Sequence, residues 1–170
     1  VLMYTQMIFA AVFIGYAIGT APVIGYHYGA ANHSELKSLR HKSTVLMLSS
    51  GIVMMALAWL LASPLSEFFV GYDAELLSVT EHAFYIFAFS FVLAGFNIFA
   101  SSFFTALSNG AVSAAISFLR TCVFQVAAVL LLPILFGGID GIWWALTFAE
   151  SGAFIVSMIF IIANRKKYRY

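Results

Sequence analysis

Five times along this chain an apolar run reaches the roughly 20 residues that a helix needs to cross a bilayer. The runs extend from Val1 to about Tyr28, about Ser43 to Phe69, about His82 to Leu107, about Val112 to Phe136, and about Ile142 to Ala163. Open strands cannot satisfy their backbone in lipid, so all five must be helices. The composition fits no soluble domain: 63% of residues are hydrophobic and 9% charged, against about 45–50% and 25% in ordinary globular chains. The sequence therefore predicts an all-α, polytopic integral membrane protein.

Charge is sorted between the connections. Gly29 to Lys42 carries Lys37, Arg40 and Lys42, and the segment after Ala163 carries Arg165, Lys166, Lys167 and Arg169. Val70 to Glu81 and Gly137 to Gly141 hold only acids. With five crossings, the basic segments and the Ser108-Asn109-Gly110 turn fall on one side, and the positive-inside rule makes that side cytoplasmic. Residues 164–170 then form a basic cytoplasmic tail behind a bundle of residues 1–163. Trp143, Trp144 and Tyr72 fall at the opposite interface, where amphipathic rings are favoured. The chain opens on Val1 without a charged n-region, and an odd number of spans suggests a bundle that has lost its first helix.

The first span is unusual. Gly15 and Gly19 form one small-xxx-small pair, Gly25 and Gly29 another, and Pro22 stands between them. Such spacing lets a neighbouring helix backbone approach closely. Proline removes a helix hydrogen bond and is expected to kink the span. These five residues are the candidate packing and hinge positions.

Polar groups inside the other spans are few. Arg120 lies about two turns into the fourth and Glu150 about two turns into the fifth. A charge at that depth costs at least about 2.5–3.5 kcal/mol, so both should face protein or a wet cavity. Arg120 has the alternative of snorkelling to cytoplasmic headgroups. Glu150 has the alternative of a neutral interhelical hydrogen bond. In the third span Ser90, Ala94, Asn97, Ser101, Thr105 and Ser108 share one helical face. Ser113, Ser117 and Arg120 share another in the fourth span, and Trp143, Thr147, Glu150, Phe154 and Ser157 a third in the fifth. Glu150, Arg120, Asn97 and Ser101 are the candidate substrate- or ion-pathway residues, although Asn97 reads first as helix–helix glue.

Several functions are excluded or unsupported. Net charge is +1, which argues against nucleic-acid partners. No G-x-x-x-x-G-K-[ST], HExxH, CxxC or GxSxG sequence occurs, so no ATP-driven pump or hydrolytic enzyme is indicated. His33 and His41 make no convincing metal site, Cys122 has no partner for a disulfide, and no cofactor is implied.

Taken in order, several short motifs resemble the multidrug and toxic compound extrusion (MATE) family of transporters. They are Gly15-x-x-x-Gly19-x-x-Pro22-x-x-Gly25-x-x-x-Gly29-Ala30 with Asn32 and Leu36-Lys37, then Ala94-Gly95-Phe96-Asn97 and Phe103 to Leu107. Ser117-Phe118-Leu119-Arg120, Leu132-Pro133, Gly138 to Trp143 and Ala149-Glu150 follow. The resemblance implies twelve helices in two six-helix lobes around a cleft that opens alternately to each side. It implies exchange of sodium ions or protons for small organic, often cationic, drugs across a bacterial inner membrane. This chain would supply helices eight to twelve, with the N-terminal lobe as a missing partner. Some members place an essential carboxylate in the helix matching the third span, where this chain has none, so sodium and proton coupling both stay open. Two alternatives are a lipid-linked oligosaccharide flippase of the related superfamily, which should need several cationic side chains, and a non-transporting membrane fragment.

Overall fold

Three of the helices start on an asparagine or aspartate whose side chain caps them. In the computed structural model, which describes residues 1–170, Asn32 accepts from the Glu35 amide at 3.3 Å. Asp73 accepts from Glu75 and Leu76, and Asn109 from Val112. Each contact satisfies an amide left without an intrahelical partner. The architecture is all-helical: α1 (Leu2–Gly29), α2 (His33–Val70), α3 (Ala74–Phe87), α4 (Ser90–Ala106), α5 (Gly110–Phe118), a π-helical segment (Leu119–Phe124), α6 (Gln125–Phe136) and α7 (Asp140–Tyr168). Four helical stretches are long and apolar enough to cross a membrane, and the bent pair α3–α4 makes up to five.

Two boundaries differ from the sequence reading. The basic segment Gly29 to Lys42 is not a loop. Only Ala30 to Asn32 leave the helix, with Ala31 at φ 54°. Asn32 with Glu35 three residues on makes a helix start, and Leu36 is fully buried, so the polar residues lie on a helix reaching beyond the apolar span. At about 1.5 Å per residue, the 38 residues of α2 outrun any bilayer core. Residues 164–170 are likewise no separate tail. Helix α7 continues to Tyr168, its last turn carrying Arg165, Lys166 and Lys167 where cations complement the helix dipole. Arg169, at φ 55°, turns Tyr170 back into the core, where its phenol donates to the Ile161 carbonyl at 3.0 Å. Burial pushes that phenol's pKa up, opposed in part by Arg40, whose guanidinium lies 5.6 Å from the Tyr170 ring.

These contacts order the bundle's ends. Arg40 on Tyr170 places the start of α2 beside the end of α7. His82 meets Asp140 at 3.1 Å, which brings α3 to the start of α7 at the other end.

The third span is two helices meeting at 49°. No proline causes the bend. Around Ala88 and Phe89 the amides reach back three residues instead of four: Phe89 bonds Ile86, Phe91 bonds Ala88 and Val92 bonds Phe89. The Tyr85 carbonyl, freed by this shift, accepts from the Trp59 indole of α2 at 3.1 Å, and Ser90 donates to Phe87 at 2.7 Å. A side chain inserted into the hydrogen-bond ladder is a recognised cause of kinks.

Helix α4 occupies the middle of the bundle. Its Phe96, Phe99, Phe103 and Phe104 are buried with Phe13, Ile24, Leu36, Met47 and Ile116 in one core cluster. The close approach to α4 is set by Gly51 on α2. A Cβ there would stand 2.6 Å from the Phe91 and Val92 carbonyl oxygens, and one at Gly95 of α4 would stand 2.8 Å from the Phe13 ring. The close contact expected at the first span's glycines is, within this chain, hardly used. Gly25 comes within ordinary contact of the Ala106 carbonyl, whereas Gly15, Gly19 and Gly29 have no neighbour. Helix α1 runs unbroken through Pro22.

This contrast is testable. Gly51→Ala must push α2 off the α4 backbone, and should cost the purified protein several degrees in thermal unfolding. Gly19→Ala should match or slightly exceed the parent, since it replaces a poor helix former by a good one.

Candidate functional site

Fourth and fifth spans each bring one charge to the same depth. Arg120 lies ten residues after the start of α5 and Glu150 ten after the start of α7. At 1.5 Å per residue both stand about 15 Å in from opposite ends of the bundle, near the middle of a core about 30 Å thick. There they meet. Arg120 Nε donates to Glu150 Oε1 at 2.8 Å and to Oε2 at 3.1 Å, and Nη2 donates to Oε1 at 2.7 Å. The side chain of Glu150 is 4% exposed and that of Arg120 22%. The snorkelling expected as one reading of Arg120 is not adopted. Planar guanidinium and carboxylate match edge to edge, which fixes orientation as well as energy.

Asn97 completes the cluster. Its Nδ2 donates to Glu150 Oε2 at 2.7 Å and to the Glu150 backbone carbonyl at 2.9 Å. The helix–helix role weighed for it is thus seen, and the same bond that joins α4 to α7 holds the carboxylate. Its Oδ1 is buried without a protein partner. The guanidinium is presented by the π-helical segment, which begins at Leu119. The wider turn re-aims the residues that follow it, a device frequent at functional sites.

The ion pair separates two spaces along α4. Towards the start of α4 lies a cavity of about 20 Å³ bordered by Gln6, Ser90, Arg120 and Glu150, room for roughly one water. Towards its end lies an open groove of about 270 Å³ between α1, α4 and α5, bordered by Ile14, Asn97, Ser101, Ser117 and Arg120. Beside the groove four hydroxyls bond one another: Ser101 to Ser117 at 2.8 Å, Ser101 to Ser113 at 2.9 Å, and Thr105 to Ser113 at 2.7 Å. Part of the stripe read from the third span and part of that from the fourth thus meet in one hydroxyl cluster.

Of the first-span candidates, none touches the ion pair. Ser102 of α4 ties α1 through the Ala17 carbonyl at 3.1 Å, about a turn before Pro22. Gln6 was not singled out in the sequence, although an isolated amide in an apolar span is the same kind of signal that marked Asn97. No group of three or more His, Cys, Asp or Glu residues gathers to hold a metal ion.

A single missing charge in such a pair leaves the other uncompensated. Glu150→Ala or Arg120→Ala alone should destabilise the protein by about 3–5 kcal/mol at full burial, and less to the extent that water reaches Arg120. The paired replacement Arg120→Gln with Glu150→Gln should recover most of that loss. Thermal unfolding of the singles and the pair measures the coupling; additive losses would show that the two charges are independent.

The comparisons with known proteins bear on the same elements. The MatE family model matches residues 1–131. No curated protein matches the chain. Among solved structures, the chain resembles the outward-facing conformation of a multidrug resistance MATE family transporter of the MOP superfamily, with 20% identity and TM-score 0.89. The match covers 97% of this chain and 37% of that one. It resembles the inward-facing conformation of such a transporter with 19% identity and TM-score 0.91, over 98% of this chain and 39% of that one. A Vibrio cholerae MATE transporter in a bent form matches at 19% identity and TM-score 0.77, over 98% of this chain and 38% of that one. The chain therefore spans less than two fifths of the length of the transporters it matches.

Proposed function

The chain belongs to the MatE family, and from that premise we propose that it forms one lobe of a secondary active transporter. The transporter exports small organic, often cationic, drug-like compounds in exchange for sodium ions or protons, and the N-terminal lobe completes the cleft. The observation that carries the reading is the Arg120–Glu150–Asn97 cluster, buried at mid-depth between a one-water cavity and an open groove.

A membrane protein gains little stability from such a pair over apolar packing, and ionisable groups at that depth mark ion or substrate paths. Glu150 is the coupling group in this reading. A proton or sodium ion at its carboxylate competes with Arg120 for the same oxygens, and the unpartnered Asn97 Oδ1 is an acceptor for water or a cation beside it. Filling the carboxylate loosens the guanidinium, and with it the join between the π-helical segment and α7.

Similarity of this lobe to both outward- and inward-facing structures supports motion of the lobe as one body, with Pro22 and the open glycines of α1 at the surface where it turns. By the positive-inside rule, the end carrying Arg40 and Tyr170 faces the cytoplasm of a bacterial inner membrane. The flippase alternative is disfavoured because a lipid-linked phosphate should need several cationic side chains, and Arg120 is the single cation within the spans.

In the intact transporter, Glu150→Gln at normal expression should cut gradient-driven efflux by at least tenfold. Pairing it with Arg120→Gln should restore stability without restoring coupling. Efflux unchanged in Glu150→Gln, measured in everted vesicles, would remove Glu150 from the mechanism. Pro22→Ala should slow exchange between the two cleft orientations, read as a lower turnover at an unaltered substrate affinity.

A further inference from the structure

We propose that the groove beside the ion pair is a subsite for a carboxylate carried by the transported compound, so that acid-bearing amphiphiles are preferred over their esters. The proposal rests on the export reading above and adds the substrate class to it.

A guanidinium presents five N–H groups on a rigid plane. Glu150 takes the side edge, through Nε and Nη2. The end edge, made by Nη1 and the second Nη2 hydrogen, bonds no protein atom, and Arg120 borders the groove as well as the small cavity. That edge is a two-donor fork of the spacing a carboxylate accepts. Ser117 is one helical turn away from Arg120 on the same face, and Ser101 bonds it across the groove at 2.8 Å. Either hydroxyl can turn its hydrogen towards a bound oxyanion.

The opposite choice, an organic cation in this groove, lacks a free carboxylate to pair with. The carboxylate of Glu150 already accepts from Arg120 at three contacts and from Asn97, and its side chain is 4% exposed. No other acid borders the groove. An ammonium placed there would lie against the positive edge of Arg120. A zwitterion or an acid-bearing cation instead sets its carboxylate on the fork and leaves its amine to the remainder of the cleft. At about 270 Å³ and open on one side, the groove admits a carboxyphenyl end while the bulk of the molecule stays outside.

Rhodamine 110 and rhodamine 123 test this directly, since the second is the methyl ester of the first. Fluorescence binding to the intact transporter in nanodiscs should show the acid bound about tenfold more tightly than the ester. Arg120→Lys keeps a cation for Glu150 but lacks the fork; it should abolish the preference for the acid. The double variant Ser101→Ala with Ser117→Ala keeps the ion pair entirely and should reduce the preference about threefold. Equal binding of acid and ester by the parent, or a preference undiminished in both variants, overturns the proposal. Ester binding and export without acid preference would leave the export reading standing and overturn the subsite alone. Binding of neither dye would overturn both.

Discussion

The Arg120–Glu150 bond is the contact on which the arrangement of this lobe depends. Two charges at mid-depth are tolerable only while each has the other, and that requirement fixes three helices at once. The π-helical segment must present the guanidinium, α7 must present the carboxylate, and α4 must bring Asn97 to the remaining oxygen lone pair. Apolar contacts alone would let these helices slide or rotate with little penalty, because lipid solvates leucine as well as a neighbouring helix does. A bidentate ionic contact does not slide. Depth, rotation and register of the three helices are therefore specified by a handful of polar atoms, while the phenylalanine cluster around α4 fills the volume they define.

Getting α4 to that position requires backbone proximity that side chains would prevent. Gly51 lets α2 lie directly on the Phe91 and Val92 carbonyls, and Gly141 lets α7 start against the Leu132 carbonyl. The 49° break between α3 and α4 serves the same end, since a straight helix through His82 and Asn97 would carry one or the other away from α7. Trp59 makes the break affordable by accepting responsibility for the Tyr85 carbonyl. Local sequence and distant packing agree here: Ser90 closes one freed carbonyl from within the segment and Trp59 closes the next from α2.

What the sequence discloses follows from which forces are local. The number of crossings and the sorting of charge were legible, because hydropathy and the cost of moving Lys or Arg across lipid act residue by residue. The functional candidates were legible as exceptions: Arg120, Glu150 and Asn97 stand out in an apolar background. Their union was not read, although equal distances from opposite ends of successive spans would have placed Arg120 and Glu150 at one level. Glycine spacing misled in the opposite direction. Gly15, Gly19 and Gly29 fit a pair motif yet meet nothing in this chain, while Gly51 and Gly95, which belong to no such pair, make the tight contacts. Close approach is a property of two helices, and a spacing rule sees only one. The bend at Ala88 was hidden for a related reason, as its cause lies 26 residues away in Trp59. The helical start at His33 is written in Asn32 and Glu35, although the polarity of the segment suggests a loop.

The hydroxyl cluster gives this face of the bundle polar groups that need no outside partner. Lone serines facing a cleft would lose their water each time it shut, at a cost of about 1–3 kcal/mol for each unsatisfied group. Ser101, Ser113, Ser117 and Thr105 instead bond one another and the Ser113 carbonyl. Their hydrogen bonds survive exclusion of water, and the same oxygens can accept water when it returns. The face is thereby close to indifferent to its own hydration. In the transport cycle proposed above, such a surface would favour neither orientation of the cleft. Neutral hydroxyls with internal partners carry no such bias, and the charge in this part of the bundle is confined to the buried Arg120–Glu150 pair.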